Sequence, residues 1–166
     1  MNYLPVRVST LRGDQKIGFD LFVLVAEKYI HYLRRGDSFE GERLERLKKK
    51  KLKKMFIIEE SESAYRNYMT QNIALALDKS SGKPIEDRTA IIQGAQQAAA
   101  EDLMDSPTSQ VAYSSAKEGA GQFVNFLMTE HQALQTLMNM DMTDENSVAQ
   151  HGVAVATTSV ALASRL

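Results

Sequence analysis

The sequence predicts an α+β protein: a small, antiparallel, β-rich amino-terminal module followed by an extended α-helical region. Three observations carry that prediction. Val, Ile, Phe and Tyr alternate with polar residues in short runs from Tyr3 to Glu60. From Glu62 onward apolar residues recur at three-to-four spacing. Gly, Asp and Ser punctuate the first region closely and the second sparsely.

Val6 and Val8 alternate with Arg7 and Ser9, a first strand, and Leu11-Arg12-Gly13-Asp14 offers the turn after it. Phe19 to Val25 reads as a second strand and Lys28 to Leu33 as a third. Only Ala26-Glu27 separates these two, the length of a tight hairpin, and Arg35-Gly36-Asp37 ends the pair. Ser38 is placed to cap a short helix carrying Leu44 and Leu47, after which Lys54 to Ile58 returns to strand. The module predicted is residues 1–62.

A helical linker or stalk is expected over 63–142. Ser61 and Ser63 are candidate caps for a helix with Tyr65, Tyr68, Met69, Asn72, Leu75 and Ala76 on one side, stopped by Ser80-Ser81-Gly82. Pro84 suits the first position of the next helix, which carries Ile85, Ile92, Ala95, Ala99 and Leu103 as far as Ser106-Pro107. A long third helix is expected from about Ser109 to Asn139, with Phe123, Leu127, His131, Leu134 and Met138 in register, as in a connector or dimer seam. Thr143 or Asp144 then caps a last helix, within 143–166, carrying His151, Val155, Thr158, Leu162 and Leu166. No Gly or Pro punctuates its end, so a truncated helical domain is the expectation there.

Composition narrows the function classes. Apolar residues at 43% and charged residues at 25% are ordinary for a globular protein, and the 166 residues suffice for a sizeable core. The net charge of −1 gives no bulk attraction to nucleic acid or membrane. With no cysteine, disulfides, thiolate metal sites and a cysteine nucleophile are excluded. Neither a leader nor an apolar run of membrane length is visible, and a cytoplasmic location is expected.

Lys48-Lys49-Lys50-Lys51-Leu52-Lys53-Lys54 is the most unusual run. Two readings stand: Lys48, Lys49, Lys50, Lys51, Lys53 and Lys54 bind an anionic partner, or they form a solvated face around inward Leu44, Leu47 and Leu52. No aromatic stacking residue interleaves with the lysines in sequence. The glycines Gly94, Gly119 and Gly121 lie in helical patterns without a preceding strand, which suits close helix contact or a kink rather than phosphate binding. Glu59-Glu60 and Glu101-Asp102 are adjacent pairs that point to different faces, so neither forms an acid/base pair.

Phe19 to Val23 with Lys28 to Asp37, then Leu44-x-x-Leu47 and Met55-Phe56-Ile57, resembles the domain that precedes some bacterial HD-GYP proteins. His151-Gly152-Val153-Ala154-Val155-Ala156 with Ser159 to Leu166 resembles the first helix of an HD-GYP catalytic domain. For the parent protein this implies hydrolysis of a cyclic dinucleotide, usually cyclic di-GMP, in an all-helical domain holding iron or manganese on His, Asp and Glu. Such metals activate a hydroxide and stabilise the opposing phosphate oxygens, so several ligands must converge.

Departures from the family pattern limit what this chain can do. His31, His131 and His151 are followed by Tyr32, Gln132 and Gly152, so the adjacent His-Asp pair is missing, as is the Gly-Tyr-Pro loop. The resemblance maps His151 alone to a metal position, and the carboxylate that some members carry four residues earlier is Ser147 here. Arg34-Arg35-Gly36-Asp37-Ser38 outlines the cyclic di-GMP motif of PilZ domains, but its spacing fails and a hairpin exit accounts for it. The expected role is a regulatory segment, inactive alone, joined in cis to an HD-type hydrolase domain that binds iron or manganese, and forming a homo-oligomer through its helices. The alternative is a stand-alone interaction protein that uses the lysine run.

Overall fold

The computed structural model describes residues 1–139 and 148–166, and its backbone divides into two compact units, Met1–Asn72 and Ile73–Leu166. Thr143, Asp144 and Ser147 lie outside the described residues. The α+β class is as the sequence predicts, with four strands and six α-helices among the described residues.

The first unit is built on β1 (Tyr3–Arg7), β2 (Leu21–Val25), β3 (Lys28–Leu33) and β4 (Lys54–Ile58), with α1 (Arg43–Lys49) between β3 and β4. The sheet order is β1-β4-β2-β3 and every pairing is antiparallel. Alternation sets its two faces. Val6, Leu21, Leu33, Met55 and Ile57 point inward, where they meet Phe19, Phe39, Leu44 and Tyr68 in one core. Val8 leaves the strand for a 3₁₀ turn yet remains buried, so the first strand begins at Tyr3 and ends before it. The hairpin turns on Ala26 and Glu27 as expected, both with positive φ (47° and 61°). That geometry matches the twist of the flanking strands, although Asn-Gly would adopt it with less strain.

Ser38 caps no helix. Gly41 takes a left-handed φ of 57°, which interrupts any helix started at Ser38, and α1 begins at Arg43 with Glu42 at its cap position. Phe39, released from helical geometry, fills the core. At its other end α1 closes with bonds from Leu52 N–H to Leu47 O (3.1 Å) and Lys51 N–H to Lys48 O (2.8 Å). This is a Schellman closure in which Lys51, φ 60°, holds the left-handed position that glycine favours.

Helix α2 (Glu62–Leu77) brings Tyr68 and Asn72 into the first unit and Ala76 into the second. Leu75, expected on its packed face, is exposed instead. The second unit continues with α3 (Ile85–Asp105), α4 (Gln110–Thr129), α5 (His131–Asn139) and α6 (Val148–Ala163). Pro84 sits at the cap of α3, one residue before its expected place, and Gly82 at φ 72° stops the preceding turn. Ser109 caps α4 by accepting from Ala112 N–H at 3.2 Å. Ile91, Ile92, Phe123, Phe126, Leu127, Ala133, Leu137 and Val153 form the core of this unit.

The single helix expected over 109–139 is two. It breaks at Glu130, whose φ of −116° and ψ of 84° leave the helical region. The break turns the Glu130 carboxylate to the buried guanidinium of Arg88, 2.9 Å away. Meeting a buried charge outweighs continuing the helix. Close packing at Gly119 is as expected: a Cβ there would lie 2.9 Å from Gln96 Oε1 and 3.8 Å from Ala99 Cβ of α3.

Candidate functional site

The expected metal ligand, His151, is exposed on α6. The stripe that the sequence places with it, Val155, Thr158 and Leu162, is exposed too, and α6 packs through Ala149, Val153 and Thr157 instead. Both faces of α6 are apolar, so periodicity alone could not choose between them. His131, expected on a packed face, is exposed at the start of α5. Among the described residues no group of three or more His, Asp or Glu comes together. Among the described residues, too, no helix is long and apolar enough to cross a membrane.

Of the lysine run, Lys49, Lys50, Lys51 and Lys53 are exposed, while Lys48 and Lys54 are half-buried. The last turn of α1 and the Schellman closure thus place these four lysines around the inward Leu47 and Leu52. Lys48 bonds Glu45 one turn back at 3.0 Å. Cations at a helix C-terminus are favoured by its partial negative charge.

Beside this turn lies a feature that sequence reasoning missed. The outer face of the sheet carries Tyr3, Phe22, Tyr29, His31 and Phe56, since Phe22 pairs with both Phe56 and His31 across the strands. Their rings are continuous. Tyr3 stacks on Tyr29 at 3.8 Å between centroids and 10° between planes. Tyr3 also meets Phe22 edge-on at 5.1 Å, Tyr29 meets Phe56 at 5.0 Å, and Phe22 meets His31 at 5.0 Å. Lys54, two residues before Phe56 on β4, faces the same way, as does its cross-strand partner Arg7. The signal was present in the sequence as aromatic residues on one parity of each of four strands. Only the register shows that these parities coincide.

At one end of that face, His31 Nε2 lies 3.0 Å from Asp20 Oδ1. The same carboxylate oxygen accepts the Arg35 N–H at 2.9 Å. That backbone bond, with the hydrogen bond from His31 next, holds the Asp20 carboxyl below its usual range. The Arg34-Arg35-Gly36 segment serves this turn: Gly36 has φ 90° and its N–H donates to Ile17 O at 2.8 Å. In the core, burial pushes the Tyr68 phenol up to about 12, and its oxygen accepts the Arg12 N–H at 2.8 Å.

In the second unit the notable polar cluster is structural. Arg88 donates to Ala76 O at 2.7 Å and to Glu130 at 2.9 Å, and its guanidinium lies over the Phe126 ring at 5.6 Å. Lys79 approaches the same Glu130 oxygen at 3.7 Å.

Comparison with known proteins relates this α+β chain to HD-GYP proteins. It resembles the solved structure of Bd1817, a HDG"Y"P protein from Bdellovibrio bacteriovorus, with 51% sequence identity and a TM-score of 0.88. The match covers 99% of this chain and 53% of that one, so the chain spans about half the length of that protein. No family model matches the chain, and no curated protein does.

Proposed function

We propose that this chain is the regulatory, dimerising segment of an HD-GYP-type cyclic di-GMP phosphodiesterase. It passes signals to a metal-dependent hydrolase domain carried elsewhere in the same polypeptide. The observation that carries this reading is the 51% identity, over 99% of the chain, to about half of an HD-GYP protein. The exposed face of α6 supports it. Val148, Val155 and Leu162 recur at heptad spacing and are 69%, 51% and 65% exposed, an uncharged seam suited to covering by further helices. His151 projects beside that seam and is the residue of this chain that would join iron or manganese ligands supplied by the hydrolase domain. Regulation in this scheme is a bias on helix packing between two states.

The test uses the whole gene product, assayed for cyclic di-GMP hydrolysis with Mn²⁺ and for bound metal. This chain alone is expected to be inactive. His151→Ala in the whole protein is expected to lower metal content and turnover together, and removal of residues 1–72 to change turnover at least several-fold. Turnover indifferent to both changes would sink the proposal, as would hydrolysis by this chain alone. The second reading, a stand-alone protein binding an anionic partner, is favoured by the exposure of Lys49, Lys50, Lys51 and Lys53.

A further inference from the structure

Whole-chain charge conceals a division between the two units. Residues 1–72 carry 15 Lys and Arg against 10 Asp and Glu, a net +5, whereas residues 73–166 carry 5 against 11, a net −6. The expectation of no nucleic-acid attraction rested on the sum, −1, whereas the first unit taken by itself is basic.

We propose that the first unit binds single-stranded nucleic acid on the outer face of its sheet, bases stacking at Tyr29 and its neighbouring rings while the lysine turn meets the phosphates. Three independent observations meet there. The first is the ring row Tyr3, Tyr29, Phe56 and Phe22, with Tyr29 38% exposed and Leu24 beside it 44% exposed. Aromatic rings on the surface of a sheet offer places where bases stack. The second is adjacency: Lys54 shares the face, and the exposed Lys49, Lys50 and Lys53 lie on the turn that feeds β4. The third is charge: this unit carries a net +5.

Two acidic groups near the sheet are engaged, Asp20 by His31 and the Arg35 N–H, and Glu59 by Asn2 at 2.9 Å. A membrane surface fits less well. The rings lie along the sheet rather than at a protruding tip.

The experiment is fluorescence anisotropy on the full chain with a labelled oligodeoxythymidine of about 12 nucleotides, a length within the range one such platform covers. Expected is a Kd of about 1–100 µM that weakens steeply between about 50 and 200 mM salt. Replacing Lys49, Lys50 and Lys53 together by Gln lowers the slope of log affinity on log salt by about 2. Tyr29→Ala weakens binding about tenfold and leaves that slope unchanged.

Tyr29→Leu keeps apolar cover over the neighbouring rings and guards against a folding defect; it is expected to lose the same affinity, with an unaltered circular dichroism melt. The proposal is overturned by absence of binding at low salt or by equal affinity for a duplex of the same length. It fails equally if Tyr29→Leu binds as well as the parent, or if vesicles of phosphatidylcholine and phosphatidylglycerol bind while the strand does not.

Discussion

Asp20 and His31 show how much of this protein is decided between residues that are far apart in sequence. Asp20 ends the loop before β2 and His31 lies within β3, and the hairpin brings them to 3.0 Å. The Asp20 carboxyl is held below 3.8, first by the Arg35 N–H and then by His31. A depressed carboxyl contributes stability above its unfolded value and loses it as pH falls through the folded one. Asp20→Asn is therefore expected to destabilise the protein at pH 6, with the difference closing as pH falls below about 4. Urea titrations at the two pH values check this, and a difference that persists in acid would contradict it. The lysines were legible as a cluster because they are consecutive. The rings beside them were not, because Tyr3, Phe22, Tyr29 and Phe56 come from four strands.

The elements were legible where a local signal enforces them. Lys28 to Leu33 and Lys54 to Ile58 form strands as expected, since each is rich in aromatic and β-branched residues and is bounded by turn residues. Boundaries set by tertiary contacts were not legible. The continuous pattern over 109–139 contains no Gly or Pro at Glu130, and the helix breaks there because Arg88 of α3 draws the carboxylate. The two glycines of α4 differ for a similar reason. Gly121 faces open space, so Gly121→Ala is expected to stabilise by about 1 kcal/mol through helix propensity. At Gly119 the new Cβ would lie 2.9 Å from Gln96 Oε1, which must move. Gly119→Ala is thus expected to gain clearly less. Thermal unfolding followed by circular dichroism compares them, and equal gains would refute the close approach of α3 and α4.

At the scale of the molecule, each unit has its own core and its own organising polar feature. In the second unit Arg88 joins the end of α2, the Phe126 ring of α4 and the turn at Glu130. Removing one partner of a buried pair leaves the other charge uncompensated, at a cost of about 3–5 kcal/mol. Glu130 is 16% exposed and keeps Lys79 nearby, so Arg88→Met is expected to cost less, about 2–3 kcal/mol. A urea midpoint that falls accordingly with an unchanged slope is the confirming result; a loss under about 1 kcal/mol would show that the pair is not structural.

The sequence by itself determined the α+β class, the hairpin, most element positions and the likeness to HD-GYP proteins. These follow from period, turn chemistry and local motif, which act over a few residues. Tertiary structure decided which face of α6 packs, where the long helix breaks, and that a ring row stands beside the lysine turn. Each of these depends on pairing between distant segments. A local pattern states that a face is apolar; it does not state which other face will cover it.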